Sequence, residues 1–347
     1  MTRQVTVAVD ANGADLGPAE VARGAAQAAG TSVRVLLYGP ASELGPPAGD
    51  VDVVDAPVSI AKAGDPARAV RAHPEASIVQ AVEAVADGRA DALVSGGSTG
   101  AALAAALFRI KRGRGIHRPA LAALVPVPGA PFLLLDAGAN VEVRPEHLVQ
   151  FAHMGAAFME AVMGIARPRV ALLSNGEEPE RGPDDVVAAH AALAGGGSAL
   201  NFVGNVEGFA VGTGAADVIV ADGFTGNVVL KAMEGTSSVL LGAVRAAATS
   251  SVRARAGGML LRPALRGLRD DLDPQEHGGA VLLGLRKLAV VPHGSFGAKG
   301  IARAIELAAR GVRDDVVGMT FERLAAAGAL RKAREPSAAG ASVPGQS

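Results

Sequence analysis

A chain of 347 residues, 49% hydrophobic and carrying 45 glycines, has apolar surface for one large α/β unit or two smaller ones, with many tight turns. The absence of cysteine excludes disulfides, thiolate zinc sites and cysteine nucleophiles. A net charge of −1, with 3% aromatic residues and no tryptophan, argues against nucleic acid as a partner and against a stacking platform for single strands.

The opening MTRQVTVAVD runs almost directly into a strand and lacks signal-peptide architecture, and no apolar run reaches bilayer-spanning length. The expectation is a cytoplasmic protein. Short apolar runs ending in glycine-rich turns then recur: VTVAVDANG from residue 5, VRVLLYG from 33, ADALVSGG from 90, PFLLLDAGA from 131, RVALLSNG from 169 and DVIVADGF from 217. Helical patterns separate them. The predicted fold is therefore α/β, a mostly parallel sheet in an α/β/α sandwich. Ligands of such sheets sit outside the carboxyl ends of the strands, where this chain places its Asp, Asn, Ser and Thr. One domain is expected over 1–330, with a helical protrusion over about 237–275. The small polar stretch 331–347 reads as a disordered tail.

The loop Ser95-Gly96-Gly97-Ser98-Thr99-Gly100 sets three hydroxyls among three glycines ahead of an alanine-rich helix. Glycines let backbone approach an oxyanion and hydroxyls donate to it, so a phosphate cradle fits, as does a plain tight turn. The loop lacks the Gly-Lys-Ser/Thr ending of a Walker motif, and no strand opens into Gly-x-Gly-x-x-Gly. Asp136 and Asn140 flank a glycine turn that their own side chains can cap. Glu177, Glu178 and Arg181 gather after a later strand, without a histidine nearby, and no metal is expected.

In DVIVADGFTGNVVLKAMEG, from residue 217, a strand hands over to a helix through Asp222, Gly223, Thr225, Gly226 and Asn227, with Lys231 one turn inside. The N–H groups of a helix N-terminus form an anion site. Residues 90–103 align without gaps on 216–229, which fits either two similar turns or two loops sharing one ligand in a single cleft. Between Glu234 and Asp270 lie six arginines and no acidic residue. There Leu261, Leu265, Leu268 and Leu272 recur at helical spacing beside Arg262, Arg266 and Arg269. Such a stripe suits a helix lying on an anionic membrane surface, a packed helix or a dimer contact. His293 follows an apolar run and is a candidate acid, base or anion donor.

Several of these stretches, with HRPAL (117–121), DAGANVEVRPEHL (136–148), NFVGNVEG (201–208), GGAVLLG (278–284) and HGSFGAKG (293–300), resemble the bacterial phosphate acyltransferases of phospholipid synthesis, the PlsX family. They run in family order from residue 7 to about 305. The resemblance implies an isocitrate/isopropylmalate dehydrogenase-like fold, related to phosphate acetyltransferases. It implies transfer of a fatty acyl group from acyl carrier protein to inorganic phosphate, without a cofactor. The acyl phosphate would feed a glycerol-3-phosphate acyltransferase, and a peripherally membrane-associated homodimer is expected. Lys231, Asn227 and His293 are the catalytic candidates. The substrate-binding candidates are Ser95, Gly97, Ser98, Thr99, Gly100, Arg118, Asn140, Asp222, Gly223, Thr225 and Gly226. The chain departs from the family pattern at Asn12, Ala14, Gly96, Ser98 and Ser174 and near His73, losing amide donors at 98 and 174. The shared fold group leaves room for an acyl-CoA-using, phosphate acetyltransferase-like enzyme, and the departures for a low-activity paralogue acting as a membrane scaffold.

Overall fold

The computed structural model describes residues 3–46, 48–195 and 200–331. In chain order these form β1 (Val5–Asp10), α1 (Pro18–Ala28), β2 (Val33–Gly39), α2 (Ala41–Leu44), β3 (Val51–Asp55), α3 (Pro66–Ala72), α4 (Ser77–Ala86), β4 (Ala92–Ser95), α5 (Thr99–Arg109), β5 (Ala120–Val125), β6 (Phe132–Leu135) and α6 (Pro145–Met163). There follow β7 (Arg169–Ser174), α7 (Asp184–Ala194), β8 (Asn201–Glu207), β9 (Val218–Val220), α8 (Gly223–Thr249), α9 (Val252–Asp271), β10 (Ala280–Leu283), β11 (Leu288–Val291), α10 (Ala298–Arg313) and α11 (Val316–Ala326). The expected tail, beyond Arg331, lies outside the described residues.

All eleven strands join one sheet in the order β3-β2-β1-β4-β11-β10-β5-β6-β9-β7-β8. Seven of the ten strand pairings are parallel, so the sheet is mostly parallel as the glycine-terminated runs imply. The other three, β11/β10, β10/β5 and β5/β6, are antiparallel and lie together in the middle. Connection length dictates two of the three, while β10/β5 pairs strands distant in the chain. Residues 126–131 between β5 and β6, and 284–287 between β10 and β11, are too few for a crossover and can only close hairpins. The block β3-β2-β1-β4-β11 consequently runs opposite in sense to the block β6-β9-β7-β8.

Helices cover both faces. α1, α6, α7, α10 and α11 bury their apolar sides on one face, and α3, α4, α5 and the first turns of α8 cover the other. α6 is buried along nearly its whole length, including Phe151, Met154 and Phe158, because α7 and α11 flank it against the sheet. α8 behaves differently. Over its 27 residues only Gly223 and Gly226 are buried, and α9 has no buried residue and packs on α8 as a hairpin standing off the body. The pair exposes Val239, Leu240, Val252, Met259, Leu260 and Leu261. Among the described residues no helix is long and apolar enough to cross a membrane.

Candidate active site

The reversal of strand sense decides where the predicted residues fall. β4 and β9 run in opposite directions, so their Gly-x-Thr-Gly turns open at opposite edges of the sheet. The two turns form two settings, so of the two readings of their alignment the structure fits two similar turns and not one shared cradle. α5 and α8 do share a face, where Leu103, Leu107 and Leu230 border the same apolar cluster.

At the β4 edge, Ser95 lies beside Asp10 at the end of β1. Asp10 is only 3% exposed, and its carboxylate accepts from Ser77 Oγ at 2.6 Å, Ser95 Oγ at 2.8 Å and the Asn12 N–H at 3.2 Å. Burial pushes its pKa up to about 6, against the pull of those hydrogen bonds. The Asn12 amide donates to Ser77 Oγ at 2.9 Å and to the Ala56 carbonyl at 3.1 Å. Ser95 and Asn12 therefore tie β1, β4 and α4 together and have little left for a ligand. Ser98 caps α5, its Oγ accepting the Ala101 N–H at 3.4 Å. A Cβ at Gly97 would lie 2.8 Å from the Asn12 carbonyl oxygen, and one at Gly100 would lie 3.1 Å from Pro66. Thr99, half-buried, begins α5. His293 follows β11 at this same edge, exposed, with Nδ1 2.8 Å from Ser295 Oγ. The next carbonyl, Gly294, accepts the Asp15 N–H at 2.8 Å.

At the opposite edge, Asp136 follows β6, wholly buried. Its carboxylate accepts five N–H groups, from Leu121 at 3.0 Å, Gly138 at 3.1 Å, Ala139 at 2.9 Å, and the Asn140 backbone and side chain at 2.7 Å each. Burial still raises its pKa. The other hydrogen of the Asn140 amide goes to the Pro119 carbonyl at 2.8 Å. Both donors of Asn140 are thus spent on the protein, which leaves its amide no hydrogen for the substrate-binding role expected of it. It anchors the residue next to Arg118 instead.

The N-terminus of α8 is likewise occupied by protein groups. Asp222 caps it, accepting the Thr225 N–H at 2.8 Å and the Thr225 hydroxyl at 2.6 Å. The Gly223 N–H goes to the Asn140 carbonyl at 2.7 Å, and the Gly226 N–H to the Asp222 carbonyl at 2.9 Å. The Asp222 carboxylate holds the place that the sequence pattern assigned to an external anion. The two glycines have a packing reason: the first turn of α8 lies backbone-on-backbone against the 136–140 turn. A Cβ at Gly223 would lie 2.7 Å from the Asn140 carbonyl oxygen, and one at Gly226 would overlap the carbonyl oxygen of Asp136. Asn227 sits beside Gly138 and is exposed. Lys231 does not reach back toward the loop; its Nζ meets Glu234 Oε2 at 2.7 Å, further along the helix.

A cavity of about 760 Å³ opens along α5 toward this second edge. Leu103, Leu107 and Phe108 form an apolar wall, and Arg118, Asn140 and the 111–117 segment face it. Of the predicted residues, only Arg118 and Asn140 line it. Sequence reading passed over the cations that surround them, although the run RIKRGRGIHR (109–118) signals them by charge density alone. At the rim, His117, Glu146 and His147 bring possible ligand atoms within 4.8 Å of one another. Burial holds both imidazoles below their usual range, and Arg112, Arg118, Arg144 and Arg331 add positive charge around them. Glu146 acts in the opposite direction on both rings.

Residues 5–319 match the family model described as fatty acid synthesis protein. The chain is 44% identical over 318 residues to the phosphate acyltransferase of Moorella thermoacetica, covering 90% of this chain and 93% of that one. Among solved structures, the phosphotransacetylase of Streptococcus pyogenes superposes with a TM-score of 0.57 at 17% identity, over 89% of this chain and 94% of that one. The 4-hydroxythreonine-4-phosphate dehydrogenase of Klebsiella pneumoniae does so with a TM-score of 0.53 at 17% identity, over 89% and 100%. These last two likenesses are of fold.

Proposed function

Because this chain belongs to the fatty acid synthesis protein family of phosphate acyltransferases, we propose that it moves a fatty acyl group from acyl carrier protein onto inorganic phosphate. The observation that supports this most is the cavity along α5, which is lined both by the apolar side chains of Leu103, Leu107 and Phe108 and by Arg118. A thioester with an acyl chain needs the first, and a phosphate dianion needs the second. A phosphate oxygen attacks the thioester carbonyl carbon, the C–O bond forms as the C–S bond breaks, and the departing thiolate takes up a proton. The products are acyl phosphate and the free carrier thiol. No enzyme nucleophile enters this scheme. The protein contributes by holding two reactants together and by offsetting negative charge as the tetrahedral oxyanion develops.

In this reading Arg118 binds phosphate, and Asn227, which is exposed beside Gly138 and does not line the cavity, is assigned no step. Ser95, Gly97, Ser98, Gly100, Asn140, Asp222, Gly223, Thr225 and Gly226 shape the two turns from within. We assign no step to Lys231, which is ion-paired, to Thr99, or to His293, whose ring meets Ser295 at the far edge. The direct test is to incubate the protein with acyl carrier protein charged with a fatty acid and to follow the free carrier thiol. Release should depend on added phosphate and saturate with it. Release at the same rate without phosphate, or from acyl-CoA alone, would refute the assignment.

The product, a reactive anhydride on a lipid chain, suits a downstream glycerol-3-phosphate acyltransferase. The protruding α8–α9 hairpin, with its exposed leucines beside Arg262 and Arg266, suits an anionic membrane surface or the partner of a homodimer. The membrane reading expects the protein to pellet with vesicles rich in phosphatidylglycerol at low salt and to release as salt rises. Indifference to such vesicles at low salt would refute it.

A further inference from the structure

Arg118 is exposed, so packing does not aim its guanidinium, and residues 111–119 belong to no helix or strand whose ladder would hold them. The backbone on either side of Arg118 is held by side chains instead. On its C-terminal side the Asn140 amide donates to the Pro119 carbonyl at 2.8 Å. On its N-terminal side the His117 N–H donates to Gln150 Oε1 at 2.8 Å, and the His117 carbonyl accepts from Arg112 at 2.6 Å.

Gln150 stands on α6, which packs on the sheet face opposite α5, and it is wholly buried. Its amide is fully used. While Oε1 takes the His117 N–H, Nε2 donates to the Gly115 carbonyl at 2.9 Å and to the Ala329 carbonyl at 2.8 Å. An apolar side chain of similar size would fill the same space without the desolvation that a buried amide must offset through its bonds. Each of those bonds goes to the segment that carries Arg118 or to the residues laid against it. The Arg331 N–H reaches the Gly115 carbonyl at 2.8 Å, and a Cβ at Gly115 would lie 2.9 Å from Leu330. One amide therefore ties together α6, the 115–117 turn and the residues that follow α11. Gln150 itself does not line the cavity.

Resting on the phosphate-binding role proposed for Arg118, we infer that Gln150 is a positioning residue for the transfer, fixing the backbone at His117 and with it the place where Arg118 meets phosphate. It touches no reactant and acts through Arg118. The clamp lies one residue from Arg118, and a displacement of about 1 Å at a group that orients a reactant can cost about a hundredfold. Asn140 and Gln150 grip opposite sides of residue 118 from separate elements, so neither replaces the other.

The test is a double-variant cycle with Gln150→Leu and Arg118→Ala. It is read first as the calorimetric Kd for inorganic phosphate, which needs no turnover, and then as KM values. Gln150→Leu keeps the bulk and removes all three bonds. It should raise the Kd and the KM for phosphate about tenfold and leave the KM for acyl carrier protein within about twofold of wild type. A residue that served stability alone would lower the fraction of protein that binds, and with it kcat, and would leave the Kd and both KM values unmoved. In the Arg118→Ala background Gln150→Leu should change phosphate binding by less than about twofold, because the group it positions is gone. Effects that multiply in the double variant would overturn the inference, as would unchanged phosphate binding in Gln150→Leu or an equal rise in the KM for the carrier. Gln150→Asn, one methylene short of its partners, carries the same cycle if Gln150→Leu does not fold. Arg118→Ala separates the two readings. Phosphate binding weakened in Arg118→Ala and intact in the Gln150 variants overturns this inference alone. Phosphate binding intact in Arg118→Ala overturns the phosphate assignment, and the inference with it.

Discussion

Gly226→Ala is expected to destabilise the protein by about 3 kcal/mol or more, enough to remove most folded protein from a soluble preparation. The added methyl would overlap the carbonyl oxygen of Asp136, a backbone atom that no side-chain rotation can move aside. α8 cannot slide away either, because the Gly223 N–H is bonded to the Asn140 carbonyl and the capping Asp222 follows directly on β9. Displacing this first turn would also open the 136–140 turn that places Asn140 against Pro119, and with it Arg118. A control lies in the same helix. Gly235 has open space where a Cβ would stand, so Gly235→Ala should stabilise by about 0.5 to 1 kcal/mol through helix propensity. Urea denaturation of the three proteins decides the matter. Equal midpoints for Gly226→Ala and wild type would mean that the backbone contact does not determine how α8 seats.

Asp10→Asn is expected to remove a pH dependence that wild type shows between about pH 4 and 7. Asp10 has its folded-state pKa raised from 3.8 to about 6 by burial. A carboxyl raised in this way favours the folded state fully at low pH, and that contribution is lost as pH rises through 6. The difference of about two pKa units corresponds to about 3 kcal/mol across this window. An amide at position 10 keeps one oxygen to accept from Ser77, offers its NH2 to the oxygen of Ser95, whose hydroxyl can rotate, and has no charge to desolvate. The variant should therefore match wild type near pH 4 and exceed it near pH 7. His153 works in the opposite sense: burial lowers its pKa to about 4, so its contribution is present above 6.5 and fades as pH falls toward 4. His153 is common to both proteins, so subtracting the two stability curves isolates Asp10. Parallel curves from pH 4 to 7 would show that Asp10 titrates as an ordinary surface carboxylate.

The α/β class was legible in local pattern. Each of the six runs read as strands is a strand, because a fully buried parallel strand must be continuously apolar and must leave the sheet through a tight turn. β5, in ALAALV, β8, which contains Gly204, and the short β10 lacked that signature. They are strands because neighbours complete their hydrogen bonding, and a propensity scale does not see neighbours. The family resemblance likewise rested on quoted blocks such as DGFTGNVVLK, whose residue order is visible without coordinates.

What each polar group touches was not legible. Asp222, Gly223 and Gly226 read as an anion site because a helix N-terminus attracts anions in general, and sequence cannot show that a capping carboxylate and a neighbouring carbonyl already occupy it. Asn140 read both as a cap of its own turn and as a substrate contact, and only the fold brings Pro119 and Asp136 to its two amide hydrogens. Lys231 looked poised to reach back, and Glu234 is the nearer partner on the helix surface. By itself the sequence determined the strand–turn–helix units, the family and the supply of glycine and cationic charge, all of which depend on residues close together in the chain. Only the tertiary structure decided that β4 and β9 open at opposite edges, and that Arg118, Arg286 and Arg331 converge on one cavity. Those facts depend on three successive antiparallel pairings that reverse the sheet, two of them hairpins and the third the distant β10/β5 pair, and on contacts between residues up to some two hundred positions apart, which local pattern does not encode.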